Sequence, residues 1–283
     1  MENYELINLE DYTQSGEGGT AVSYTHKTRS TLAKLYKPGF EADRARAEFF
    51  TARTVFQMGI PTPEPYRLVT DGERYGAEYE LVGGKRSFAR IISQEPERLE
   101  EISLTFAARA KALHSIPADT ARLRSYKQAL TKFFKEKDLV PEALKQRSLA
   151  FLETVADTPT CLHGDLQIGN IITDGERTLW IDVGEFSYGV PEWDLSIMWI
   201  MAQRMDAKRT DNLFHITPEQ MKAHWNIFLP AYLGTADPQA LEDYSRRLAP
   251  YYAVKVPYVY DMAYHTSLPE QSFQMIDRIL SAI

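Results

Sequence analysis

The sequence predicts an α+β protein in two lobes, and three observations carry that prediction. The first 81 residues hold short alternating apolar runs separated by glycine corners. From residue 85 the apolar spacing becomes helical. One β-hairpin, at 171–181, interrupts the helical part. The expected boundary is compact, at Gly83-Gly84, dividing 1–83 from 84–283. At 283 residues the chain is long enough for two cores, and 44% hydrophobic with 25% charged residues is the composition of an ordinary globular protein.

Taken in order, residues 5–9 and 20–25 read as strands joined through Ser15-Gly16-Glu17-Gly18-Gly19. Gly16, Gly18 and Gly19 would let backbone N–H groups come close to a phosphate and form an anion-binding concavity. Thr31 to Tyr36 alternates as a third strand ending at Lys37-Pro38-Gly39, with Lys34 set inside an otherwise apolar run. An edge-strand lysine that blocks aggregation is the structural alternative for Lys34. Glu41 to Met58 reads as a helix, because Ala45, Phe49, Ala52 and Phe56 share one stripe and Gly59 with Pro61 closes it. Glu48 borders that stripe and needs a cationic partner; Lys34 and Arg44 are the two candidates. After the rigid Ile60 to Pro65 connector come strands Tyr66 to Thr70 and Tyr75 to Leu81 around Asp71-Gly72, completing a five-stranded antiparallel sheet with one helix.

Beyond residue 85, helical patterns cover 96–116, one or two segments within 121–156, then 195–206, 217–233, 238–262 and 269–282. His114 reads as a packed helix-end histidine. The Tyr251, Tyr252, Tyr258 and Tyr260 group reads as core. Cys161 is the only cysteine, which excludes an intrachain disulfide and a thiolate zinc site and leaves a small buried hydrophobe.

The stretch 161–194 carries the chemistry. Ile171-Ile172-Thr173, the Asp174-Gly175 corner and Thr178 to Ile181 form a hairpin that brings Asn170 beside Asp182, with Asp165 on the loop leading in. Hard cations such as Mg²⁺ take one or two oxygen ligands from protein and fill the rest with phosphate and water. Asn170 and Asp182 suit that role, and Asp165 is then free to orient a hydroxyl and take its proton.

His163-Gly164-Asp165-x-x-x-x-Asn170, followed by Ile181-Asp182-x-Gly184 and by Gly189-x-Pro191-x-x-Asp194-Leu195, resembles the aminoglycoside phosphotransferase and choline kinase superfamily of small-molecule kinases. The resemblance spans roughly 12–265. It implies a two-lobed protein kinase-like fold, the N-terminal lobe binding ATP or GTP and the C-terminal lobe the acceptor. In it Asp165 is the catalytic base, Asn170 and Asp182 hold Mg²⁺, Asp194 braces the catalytic loop through its backbone and His163 is structural. By the same resemblance Lys34 contacts the α and β phosphates and pairs with Glu48, the glycine loop covers the phosphates, and backbone groups of Glu80 and Val82 in Glu80-Leu81-Val82-Gly83-Gly84 meet the adenine edge. Glu185, Glu192, Asp261, Tyr264 and His265 are candidates for lining the acceptor pocket.

Two departures stand out: Ala21 falls where the third loop glycine would, and Val183 and Glu185 flank Gly184. The alternative function is a nucleotide-binding pseudokinase acting as a regulatory module. A kinase of protein side chains is disfavoured by the short stretch between Asp182 and Asp194. A net charge of −7 and a pI near 5.5 argue against nucleic-acid and anionic-membrane partners and lean toward cationic or neutral small molecules. The acidic N-terminus lacks an apolar leader and no apolar run approaches a membrane span, so a cytoplasmic location is expected.

Overall fold

The computed structural model describes residues 3–204 and 215–282. The chain forms two compact units: one runs up to Arg86 and takes in Asn170–Phe186, and the other holds Ser87–Gly169 and the chain from Ser187 onward.

The first unit is a sheet backed by one helix. Its strands are β1 (Glu5–Leu6), β2 (Tyr12–Glu17), β3 (Ala21–His26), β4 (Thr31–Tyr36), β5 (Pro65–Thr70) and β6 (Tyr75–Glu80), in the order β1-β5-β6-β4-β3-β2. The expected five antiparallel strands are therefore six. The expected strand at 5–9 is β1, only Glu5–Leu6 long and parallel to β5 with Glu5 opposite Val69, so the hairpin partner of β3 is the added strand. That partner is β2. Its Tyr12-Thr-Gln-Ser-Gly-Glu sequence buries only Tyr12 and bulges between Gln14 and Gly16, so it lacks the apolar alternation that marks a strand.

At the centre, β4 buries Ala33 and Leu35 completely. Its neighbour β6 comes so close that a Cβ on Gly76 would lie 1.9 Å from the Lys34 carbonyl oxygen, so only glycine fits there. Helix α1 (Ala42–Gln57) lays Ala45, Phe49, Ala52 and Val55 on the sheet. Phe56, assigned to this stripe from the sequence, is 38% exposed and Val55 takes its place. Gly59, at φ +78°, ends the helix as expected.

The hairpin Ile171–Thr173 with Thr178–Trp180 is antiparallel and turns at Asp174-Gly175, as read from the sequence. The Asp174 carboxylate accepts from the N–H groups of Glu176 and Arg177, which fixes the corner. Ile172 and Leu179 pack against Val82.

The second unit is helical: α2 (Phe88–Gln94), α3 (Leu99–Leu113), α4 (Tyr126–Glu136), α5 (Glu142–Thr154), α6 (Glu192–Arg204), α7 (Pro218–Leu233), α8 (Pro238–Tyr264) and α9 (Glu270–Leu280). The helix expected at 195–206 starts earlier, at Glu192, and its last two positions lie outside the described residues. Tyr126, Leu130, Phe133, Leu152, Trp193 and Ala253 are among the residues of the main core, and Tyr251, Tyr258 and Tyr260 pack against it. Two-residue strands Cys161–Leu162 and Ser187–Tyr188 pair antiparallel in this unit, with Leu162 opposite Ser187. They frame the start of the 163–169 loop. Among the described residues no helix is long and apolar enough to cross a membrane.

Candidate active site

In the first unit, β4 points Lys34 at two carboxylates. Its ammonium lies 2.8 Å from Glu48 Oε1 on α1 and 2.7 Å from Asp182 Oδ1 beyond the hairpin. Of the two cations open to Glu48 in sequence, Lys34 is thus the one that meets it. Burial alone would lower the lysine's pKa, but the charges of Asp182 and Glu48 outweigh it and hold Lys34 well above its ordinary value. The Tyr36 hydroxyl, two residues along the same strand face, donates to the other oxygen of Glu48. Tyr36 was not singled out in the sequence, although its two-residue offset from Lys34 is the signal that places both on one face.

Asp182 adopts the left-handed conformation (φ 55°, ψ 43°) at the entry to a 3₁₀ turn over Val183–Glu185, an uncommon backbone state for a residue other than glycine. Its carboxylate is 52% exposed. The Ile181 N–H donates to the Asn170 carbonyl at 3.0 Å, extending the hairpin so that Asn170 and Asp182 stand at its open end. Asn170 is buried. Among the described residues no three His, Cys, Asp or Glu side chains cluster as a metal site. The donor set here is one carboxylate and one amide.

Gly18 donates its N–H to the Ala21 carbonyl at 2.9 Å across the tip between β2 and β3. Gly16, Gly18 and Gly19 have no left-handed backbone, and a Cβ added to any of them would meet nothing closer than 3.6 Å. The fold does not itself require glycine at these positions. At the far end of β6, the Glu80 N–H donates to the Glu64 carbonyl at 2.8 Å, and its side chain pairs with Arg177 at 2.8 Å. Any contact of Glu80 with a base edge therefore falls to its carbonyl. Val82 is buried in the small cluster with Ile172.

In the second unit, the 163–169 loop is anchored by Asp194, which α6 holds fully buried. One carboxylate oxygen accepts from the His163 N–H at 2.7 Å and the other from the Gly164 N–H at 2.9 Å. The His114 ring, at the end of α3, bonds Asp194 at 3.1 Å with Nε2 and the Tyr232 hydroxyl at 2.8 Å with Nδ1. Burial would raise the Asp194 pKa. The His114 hydrogen bond, then the charges of His114, Lys255 and His163, reverse that and keep it low. Gly164 sits at φ +85°, where a side chain would be strained. Asp165 follows it and is exposed, while Leu166 and Ile168 are buried. The alternation turns the carboxylate outward and anchors the loop by its neighbours.

The site residues fall into two groups. Lys34, Glu48, Asn170 and Asp182 belong to the first unit, with the glycine tip, Glu80 and Val82; Asp165 belongs to the second. Four residues of these networks were not assigned to the site from sequence, Tyr232 among them. Tyr36 and Lys255 carry no motif, and His114 was read only as packed. Of the acceptor-pocket candidates, Glu192 pairs with Arg247 at 3.2 Å and Asp261 with Lys137 at 3.5 Å, while Tyr264 is exposed.

A β-sheet unit with a Lys34–Glu48 pair between strand and helix, and a helical unit whose 163–169 loop is pinned by a buried aspartate, are the parts of a protein kinase-like fold. The sequence matches the APH family, described as the Phosphotransferase enzyme family, over residues 14–224, more than half of the chain, and the protein belongs to that family. Similar solved structures include an ethanolamine kinase from Plasmodium vivax (16% identity, 97% of this chain and 82% of that one, TM-score 0.56). They also include aminoglycoside phosphotransferase APH(3'')-Id from Streptomyces rimosus bound to ADP and streptomycin (18% identity, 85% and 92%, TM-score 0.54). A choline/ethanolamine kinase family protein from Mesorhizobium loti is a third (13% identity, 96% and 86%, TM-score 0.52). No curated protein matches the chain. At these identities the structural likeness speaks for the fold, and the family match makes the chain a phosphotransferase.

Proposed function

We propose that the protein transfers the γ-phosphoryl group of ATP, or GTP, to a hydroxyl of a small molecule. The observation that carries this is Lys34, an ammonium held at 2.8 and 2.7 Å from Glu48 and Asp182 with its charge secured. A structural ion pair needs one carboxylate. A cation shared between a helix carboxylate and an exposed second one is arranged to meet further negative charge. In this reading residues 1–83 form the nucleotide lobe, with Gly16, Gly18 and Gly19 over the phosphates and the backbone of Glu80 and Val82 at the base.

The exposed Asp182 carboxylate and the Asn170 amide fit Mg²⁺, which accepts a few oxygen ligands and keeps phosphate and water in its other positions. When bound there, Mg²⁺ would neutralise charge on the phosphates. Asp165 orients the acceptor hydroxyl and takes its proton as the acceptor oxygen bonds to phosphorus and the bond to the ADP oxygen breaks. Asp194, through the backbone of His163 and Gly164, sets where that carboxylate stands. The acidic balance of the chain favours a cationic acceptor, as in the amino alcohols and aminoglycosides of the similar proteins.

The test is ADP release in the presence of Mg²⁺ across aminoglycosides, amino alcohols, sugars and nucleosides, for wild type and Asp165→Asn. Acceptor-dependent release that falls about 10²–10⁴-fold in Asp165→Asn, with Mg·ADP affinity kept within about twofold, is the expected result. Nucleotide binding without acceptor-dependent release in any arm would instead favour a pseudokinase.

A further inference from the structure

We propose that Lys255 is a positioning residue for the loop that carries Asp165, an inference that rests on Asp165 as the carboxylate that activates the acceptor. Lys255 stands on α8 between Pro250 and Pro257 and is 1% exposed. Its ammonium donates to the Gly164 carbonyl at 2.8 Å and to the Trp193 carbonyl at 2.9 Å, and lies 4.9 Å from the centre of the Tyr126 ring.

The Gly164 carbonyl belongs to the peptide group whose nitrogen is that of Asp165. The Gly164 N–H, on the other side of the same residue, donates to Asp194. Both backbone polar groups of a glycine at φ +85° thus end on buried side chains of opposite charge. Glycine holds its own conformation least well of all residues, so the orientation of the Gly164-Asp165 peptide comes from these two clamps. The second Lys255 bond reaches Trp193, the residue before Asp194, so the ammonium ties the loop to the start of the helix that supplies the other clamp.

Burying an ammonium is costly, and an apolar residue of the same length would fill the space more cheaply. What an apolar residue cannot do is fix the direction of two carbonyls. Two hydrogen bonds, a ring face and the nearby Asp194 charge make the cation tolerable, and the return is a fixed loop.

The experiment compares amide hydrogen exchange in 161–169, Mg·ADP affinity and acceptor-free hydrolysis of Mg·ATP in wild type, Lys255→Met, Lys255→Arg and Asp165→Asn. In Lys255→Met the His163 and Gly164 amides should exchange about tenfold faster, with α3 and α4 unchanged. Hydrolysis should fall about 10–100-fold while Mg·ADP affinity stays within about twofold, and Lys255→Arg should restore most of the protection. Should Lys255→Met fail to fold, Lys255→Gln, neutral but still a donor, takes its place with the same expected direction. Wild-type exchange and hydrolysis in the neutral variant would overturn the proposal, as would loosening spread evenly over the helical unit. Asp165→Asn should leave loop exchange unchanged; if it also keeps full hydrolysis, the base assignment fails separately from the clamp.

Discussion

Gly184 has no room for a side chain because Glu48 occupies it: a Cβ there would lie 2.7 Å from Glu48 Cγ. The glycine that follows Asp182 by two residues is therefore the seat of the carboxylate that pairs with Lys34. Gly184→Ala should cost about 1–3 kcal/mol by overpacking and weaken Mg·ADP binding. Urea unfolding and calorimetric titration measure the two effects, and adding Glu48→Ala should recover part of the stability but none of the affinity.

Lys34→Met should lower kcat/KM for Mg·ATP about 10²–10³-fold, since it removes the charge proposed to meet the phosphates. Because Asp182 and Glu48 outweigh the effect of burial and raise its pKa above 10.5, the wild-type ammonium stays protonated through the neutral range. A pH–rate profile should accordingly show no alkaline loss assignable to Lys34 below pH 10.5.

Gly18→Ala separates fold from function. Its backbone is not left-handed and the nearest atom to an added Cβ is 3.6 Å away, so stability should stay level or rise by up to about 1 kcal/mol. Mg·ADP affinity should nonetheless fall if the tip covers phosphate. Unchanged affinity would remove the glycine loop from the site.

Asp194→Asn should be severe, about 3–5 kcal/mol in urea unfolding, because it strips a buried charge network of its anion and presents an amide to two N–H donors. Asp194→Glu keeps the charge but lengthens the reach. It should stay folded and lose turnover more than nucleotide affinity.

His224 supplies a pH test outside the site. It is fully buried between Phe106 and Phe228, with Nδ1 at 2.9 Å from the Ser103 hydroxyl, and burial pushes its pKa from 6.5 down to about 3. A depressed histidine binds its proton only on unfolding, so stability is lost as pH falls below 6.5 and continues to fall toward 3. Wild type should lose about 1.4 kcal/mol per pH unit from this group. The stability gap between wild type and His224→Gln should therefore narrow between pH 7 and pH 5 in urea unfolding.

Local chemistry made much of this legible. The Asp174-Gly175 corner, the β4 alternation around Lys34 and the α1 stripe beside Glu48 each depend on neighbours a few residues apart, the run from His163 to Asp194 is read from motif spacing, and the structure reproduces the hairpin, the Lys34–Glu48 pair and the Asp194 brace. The misreadings lie where the local pattern is weak or the pairing is long-range. Strand β2 is polar and bulged, so only its partner β3 makes it a strand, and β1 joins the sheet through β5, which lies some sixty residues away.

The sequence by itself determined the family, the two-part α+β plan and the residue types proposed for the site, because those rest on motif spacing and local periodicity. Tertiary structure alone decided that Tyr36 shares Glu48, that His114 and Tyr232 extend the Asp194 network, and that Lys255, ninety-one positions from Gly164, grips its carbonyl. A buried lysine or histidine leaves no periodic trace: its role is set by which distant backbone groups packing brings to it, and by the cost of leaving its charge without them.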